Sequence, residues 1–150
     1  SRKKPPLGKN PFSDEISHQI DVKTKIESVQ YYSPEMDGTV TFRFDNNNGV
    51  FTIGEGEYSF DTHWSRAGNN SIHAYGPIGF KPGETEFPSP DNLYTYNYSS
   101  HSRTIHTGQI VVFKNSNQHF AAIRLGIVKS SSHGNPYDEM TFDYHIYSML

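Results

Sequence analysis

"TVTFRF", Thr39–Phe44, decides the fold. Val40, Phe42 and Phe44 take every second position, with Thr41 and Arg43 between them. Side chains two apart share one face of an extended strand, whereas a helix would scatter them around its axis. The stretch therefore reads as a half-buried strand. "DNNNG", Asp45–Gly49, follows with residues that tolerate positive φ, and "VFTI", Val50–Ile53, resumes the apolar pattern. That sequence of signals predicts a hairpin.

The same period continues through the chain. Tyr58, Phe60, Thr62 and Trp64 alternate with Glu57, Ser59, Asp61 and His63, and further strands are expected over 71–75, 93–98, 109–114, 119–129 and 139–147. "QIVVF", Gln109–Phe113, is apolar on both faces, so it reads as a strand covered on both sides. In "EMTFDYHIY" the alternation sends Met140, Phe142, Tyr144 and Ile146 inward. "KNSNQ" and "SSSHGNP" are turns. Residues 76–92 carry four prolines, which cannot donate to a ladder, and read as a long surface loop that at most touches an edge. Residues 1–13 read as a linker or tail, and 14–150 as one domain. A short helix is expected over 14–30, with an edge strand in 20–30 as its rival. The fold class expected is mainly β: an antiparallel β-barrel or sandwich with one short N-terminal helix.

Apolar residues make up only 33% of the 150, but aromatics reach 14%, so rings must supply much of the core. A net charge of −3 without a long single-sign run argues against a general phosphate-backbone binder. No apolar run approaches a membrane span and no signal peptide is visible, so no membrane partner and a cytoplasmic setting are expected. The absence of cysteine removes disulfides, thiolate metal sites and a cysteine nucleophile. The histidines show neither H-E-x-x-H nor H-x-H spacing, so no metal and no cofactor is expected.

The candidate site lies in "YSFDTHWSRAGNNSIHAYG", Tyr58–Gly76, which holds the only tryptophan. Trp64 is either a core ring at the end of a strand or a stacking surface, and the polar run after it favours the second. Arg66 and Arg103 are the expected anion clamps, with Arg103 expected on the face away from Ile105 in "SHSRTIHTG". His73, Tyr75, Ser65 and Ser71 are the expected hydrogen-bonding partners. Asp61, Ser65 or Ser71, and His73 also supply the residue types of a hydrolytic triad, without a G-x-S-x-G elbow. A small hydrolase using His73 is thus an alternative; no catalytic residue is assigned.

Phe51–Gly54, Trp64-Ser65, Ser71-Ile72-His73, Tyr75, Ser102-Arg103-Thr104, Gly108–Phe113, Ala121-Ala122 and Asp138-Glu139 together resemble a β-rich module that accompanies TIR domains in bacterial multidomain proteins. The resemblance covers about residues 45–147 and departs at 76–90, which puts loop-dependent specificity in doubt. It implies a bacterial intracellular protein of defence or signalling, with a TIR or other effector domain as partner. It also implies a module that senses or positions rather than catalyses; the residues themselves, one aromatic surface with a guanidinium and an imidazole, suit a small anionic or planar ligand. "GQIVVFKNSNQHFAAIRLGIV", Gly108–Val128, has in addition the cadence of PUA, ASCH and B3 barrels, and this resemblance implies nucleic-acid or modified-base binding as the alternative.

Overall fold

The computed structural model describes residues 31–148. The helix expected over 14–30, and its rival strand, lie outside the described residues. Ten strands form: β1 (Tyr32–Ser33), β2 (Asp37–Phe42), β3 (Val50–Ile53), β4 (Phe60–Arg66), β5 (Ser71–Tyr75), β6 (Ile78–Phe80), β7 (Ser102–His106), β8 (Ile110–Lys114), β9 (Phe120–Lys129) and β10 (Glu139–Ile146). They make two five-stranded sheets, ordered β1-β3-β4-β5-β7 and β2-β10-β9-β8-β6. Pairing is antiparallel apart from β1 with β3. The domain is mainly β, and its architecture is sandwich-like. Among the described residues, no helix is long and apolar enough to cross a membrane.

Alternation along each strand fills the space between the sheets. Phe42, Phe51, Phe60, Trp64, Ile72, Ile105, Phe113, Ile123, Phe142 and Tyr144 all enter one buried cluster. Rings carry much of it: Phe51 and Phe42 sit 5.1 Å apart, and Phe142 meets Phe51 edge-on at 5.9 Å. β10 keeps the expected pattern, with Met140, Phe142, Tyr144 and Ile146 buried.

"DNNNG" is not a hairpin. β2 belongs to one sheet and β3 to the other, so the turn carries the chain across the sandwich. Period two says which side chains share a face; it does not say which strand is the partner. Three successive positive φ values, at Asn47 (53°), Asn48 (56°) and Gly49 (74°), bend the chain tightly. Asn47 Nδ2 then donates to the Val50 carbonyl at 2.9 Å.

Asp45 anchors this crossing. Its carboxylate pairs with Arg43 at 3.2 Å and accepts from the Asp138 main-chain N–H at 3.1 Å. Burial works to raise the Asp45 carboxyl. The bonds from Arg43 and from the Asp138 N–H outweigh it and hold the group below its ordinary value. A depressed native pKa adds stability above the unfolded-state value, near 3.9, and that stability is lost as pH falls through the native one. Asp45→Asn is expected to lower stability by about 1 kcal/mol at neutral pH. Urea melts should show the difference from the native protein shrinking below about pH 4.

β8 is covered on both sides, as its sequence implies. Val111 and Phe113 face the main core, while Ile110 and Val112 join a second cluster with Leu93, Tyr96, Phe120, Ala122 and Tyr147. The cover is the segment after β6, and here the expectation of a plain surface loop is corrected. Residues 78–80 form the edge strand β6, and Pro90–Thr95 forms a 3₁₀ helix where a strand over 93–98 was expected. Prolines deny the ladder its donors, yet Leu93 and Tyr96 still give the segment an apolar side that docks on the outer face of the second sheet. Phe80 and Asn97 exchange main-chain hydrogen bonds at 3.0 and 2.9 Å. The Tyr147 hydroxyl donates to the Pro88 carbonyl at 2.6 Å. Gly79 permits the close approach, because a Cβ there would lie 2.3 Å from the Tyr98 ring.

Candidate functional site

Trp64 is not a stacking surface. Positions 60, 62 and 64 point inward together, and the indole is 1% exposed. It packs against Phe113 and Phe142 at 5.5 and 5.6 Å. Its Nε1–H donates to Thr62 Oγ1 at 2.7 Å, and Thr62 in turn donates to the Phe51 carbonyl at 2.7 Å. The one polar atom of the ring is thus satisfied inside the core, and no ring face reaches solvent.

Arg66 also serves elsewhere. It closes the end of β4 onto the β9–β10 connection, donating to Ser131 Oγ at 3.0 Å and lying 3.9 Å from the Asp138 carboxylate. Asp138 is buried, so the guanidinium offsets a charge the core would otherwise leave unpaired. Ser71 is buried as well, its hydroxyl accepting from the Gly68 N–H at 2.9 Å within the β4–β5 turn.

The outward side chains of β4, β5 and β7 form two cross-strand rows. Ser65, His73 and Thr104 are register partners in one, and His63, Tyr75 and Ser102 in the next. Thr104 Oγ1 and His73 Nδ1 are bonded at 3.0 Å, and Ser65 Oγ and the Tyr75 hydroxyl at 2.7 Å. The His63 ring lies 5.2 Å from that of Tyr75. None of Asp61, Ser65 and Ser71 bonds to His73: Asp61 instead accepts from Thr52 at 2.7 Å. The hydrolytic arrangement is therefore not assembled from these side chains.

Between the rows lies a hollow of about 220 Å³ lined by His73, Tyr75, Ser102, Arg103 and Thr104. Arg103 pairs with the buried Ala74 and, two positions from Ile105, shares its side of β7. This corrects the expected face. Arg103 lines the hollow as a residue of β7, while its guanidinium carbon sits 5.5 Å from the Phe80 ring centroid. Arg103 Nε is buried without a hydrogen-bond partner, and among the described residues no ion pair involves this side chain.

β7 is the outermost strand of its sheet. Gly76 donates to the His101 carbonyl and Thr107 to that of Asn70, so odd-numbered main-chain groups turn toward β5 and even-numbered ones away. On the free side the Ser100 hydroxyl bonds to both the N–H and the C=O of Ser102, and the Gln109 side chain accepts from His106. The ends of the edge are closed; the Thr104 main chain between them stays open among the described residues.

Of the seven expected residues, His73, Tyr75 and Arg103 meet at one hollow, and Ser65 fixes the Tyr75 hydroxyl beside it. Trp64, Arg66 and Ser71 do not. Ser102, Thr104 and His63 were missed. Pairing "SRTIH" with "SIHAY" sets Ser102 and Thr104 beside Tyr75 and His73, and pairing "SIHAY" with β4 sets His63 beside Tyr75. Compared with known protein families, curated proteins and solved structures, the chain matches none.

Proposed function

We propose that this domain is a non-catalytic recognition or sensor module of a larger bacterial intracellular protein, and that it binds a small anionic ligand at β7. The observation that carries the reading is Arg103. A guanidinium offers five N–H donors and no acceptor, and a buried donor left unpaired costs about 1–3 kcal/mol. The guanidinium of this half-exposed side chain still has its terminal N–H donors to offer a carboxylate or phosphate. The Ser102 and Thr104 hydroxyls and the His73 imidazole lie on the opposite face of β7, across the strand edge that the Thr104 main chain leaves open. Tyr75 and His63 offer rings for a planar portion of the ligand. The resemblance to the TIR-associated module supports the wider setting and the effector partner.

Pyrophosphate titrated into the protein and followed by calorimetry tests the anion reading. Arg103→Gln is expected to weaken binding at least about tenfold, the equivalent of one charge-assisted hydrogen bond. Arg103→Lys should recover only part of it, since an ammonium lacks the planar fork. Equal binding by native protein and Arg103→Gln would overturn the assignment. A single-stranded oligonucleotide in the same titration separates the nucleic-acid alternative, which requires affinity falling steeply with salt.

A further inference from the structure

A second hollow, of about 280 Å³, opens at the start of β4 and shares no residue with the first. We propose that it binds a primary alkylammonium group, the chemistry carried by a lysine side chain. Three observations lead there.

The first is charge. Asp61 lines the hollow and is exposed, and one of its carboxylate oxygens accepts from Thr52 Oγ1 at 2.7 Å. That bond fixes the carboxylate, while the other oxygen has no hydrogen-bond partner among the described residues. No described cation forms an ion pair with Asp61. Lys114 also lines the hollow, but its Nζ lies 5.8 Å from the Phe120 ring centroid, and Phe120 belongs to the second cluster on the other side of its sheet. Its charge is turned away, so among the described residues Asp61 is the one charged group that faces the hollow.

The second is the donor count. Ser59 and Ser116 line the same hollow as Asp61, and neither hydroxyl hydrogen-bonds to another described residue. An ammonium carries three N–H donors, and the free carboxylate oxygen with two hydroxyl oxygens makes three acceptors. Pro77, exposed at the rim in front of the buried Phe60 and Phe113 rings, adds apolar surface that a bare ion cannot use but a methylene stem can.

The third is a rim built rigidly. Asn115 Nδ2 donates to the carbonyls of Glu57 and Ser59 at 2.9 and 3.0 Å, and its Oδ1 accepts from the N–H groups of Asn117 and His119, both at 3.0 Å. One amide thus locks the β8–β9 turn to the segment entering β4. The hollow is held open by the same side chain that joins its walls.

Chemical-shift titration of the ¹⁵N-labelled protein with N-acetyl-lysine N-methylamide tests this site, with the norleucine analogue as the uncharged isostere and ammonium chloride as the stemless cation. The lysine compound is expected to give saturable shifts at Asp61 and Ser116, and the other two none. Asp61→Asn, which keeps an acceptor for Thr52, should weaken binding about tenfold and leave the β7 amides unmoved. Equal shifts with norleucine, no shift with the lysine compound, or undiminished binding by Asp61→Asn would each overturn the proposal. None of these results depends on Arg103, so the anion reading stands or falls separately.

Discussion

Trp64→Ala is expected to lower the unfolding free energy by about 3–5 kcal/mol, the range for emptying a large aromatic site in a packed core. The indole is the largest fully buried side chain, and it touches rings from the facing sheet at Phe113 and Phe142. Its removal opens a void between the sheets that neither can collapse into without breaking ladder bonds. Trp64→Phe keeps most of the volume and loses the Nε1–H bond to Thr62, so about 1–2 kcal/mol is expected for it. Urea unfolding with an unchanged m-value, midpoint shifted in that order, is the check. A Trp64→Ala protein as stable as the native one would contradict the placement of this ring.

Gly49→Ala should be nearly as damaging, at about 3 kcal/mol or more. Two effects combine at this position. Its φ of +74° is costly for any residue with a Cβ, and that Cβ would lie 2.0 Å from the Trp64 carbonyl. Relief requires moving β4 main chain, which also disturbs the indole. Gly83 separates the two effects: its φ is +85°, yet nothing lies within 4 Å of a Cβ built there. Gly83→Ala is expected to cost only about 1 kcal/mol. Thermal melts of both variants decide the matter, and equal losses would mean that backbone angle alone, without the clash, governs the crossing.

The strand faces were legible because a period of two is local. Val40 with Phe42, and Met140 through Ile146, point where alternation sends them. What could not be read locally was the identity of neighbours. Asp45–Gly49 has hairpin residues and joins two sheets, because positive φ bends a chain without choosing where it goes next. Arg66 looked free for a ligand, but its partner Asp138 lies 72 positions away and is brought near only by the β9–β10 connection. Trp64 showed the same limit. Its parity with Phe60 placed it on the core face, and the polar run after it described the β4–β5 turn, not the surroundings of the ring. Arg103 was found by residue type and misjudged by face: it stands two positions from Ile105, and strand parity puts both on one side. The cover of the second sheet was hidden because prolines mark the absence of a ladder and say nothing about Leu93 and Tyr96 docking onto Ile110 and Val112.

One spectrum decides whether recognition belongs to β7 and its arginine while the tryptophan is architecture. Pyrophosphate is added to the ¹⁵N-labelled protein, and the side-chain resonances of Arg103 Nε–H and Trp64 Nε1–H are followed together. A saturable shift at Arg103 is expected, with Ser102 and Thr104 amides moving alongside, and a stationary indole. A shifting Trp64 beside an unmoved Arg103, or no movement at either at millimolar ligand, would contradict it.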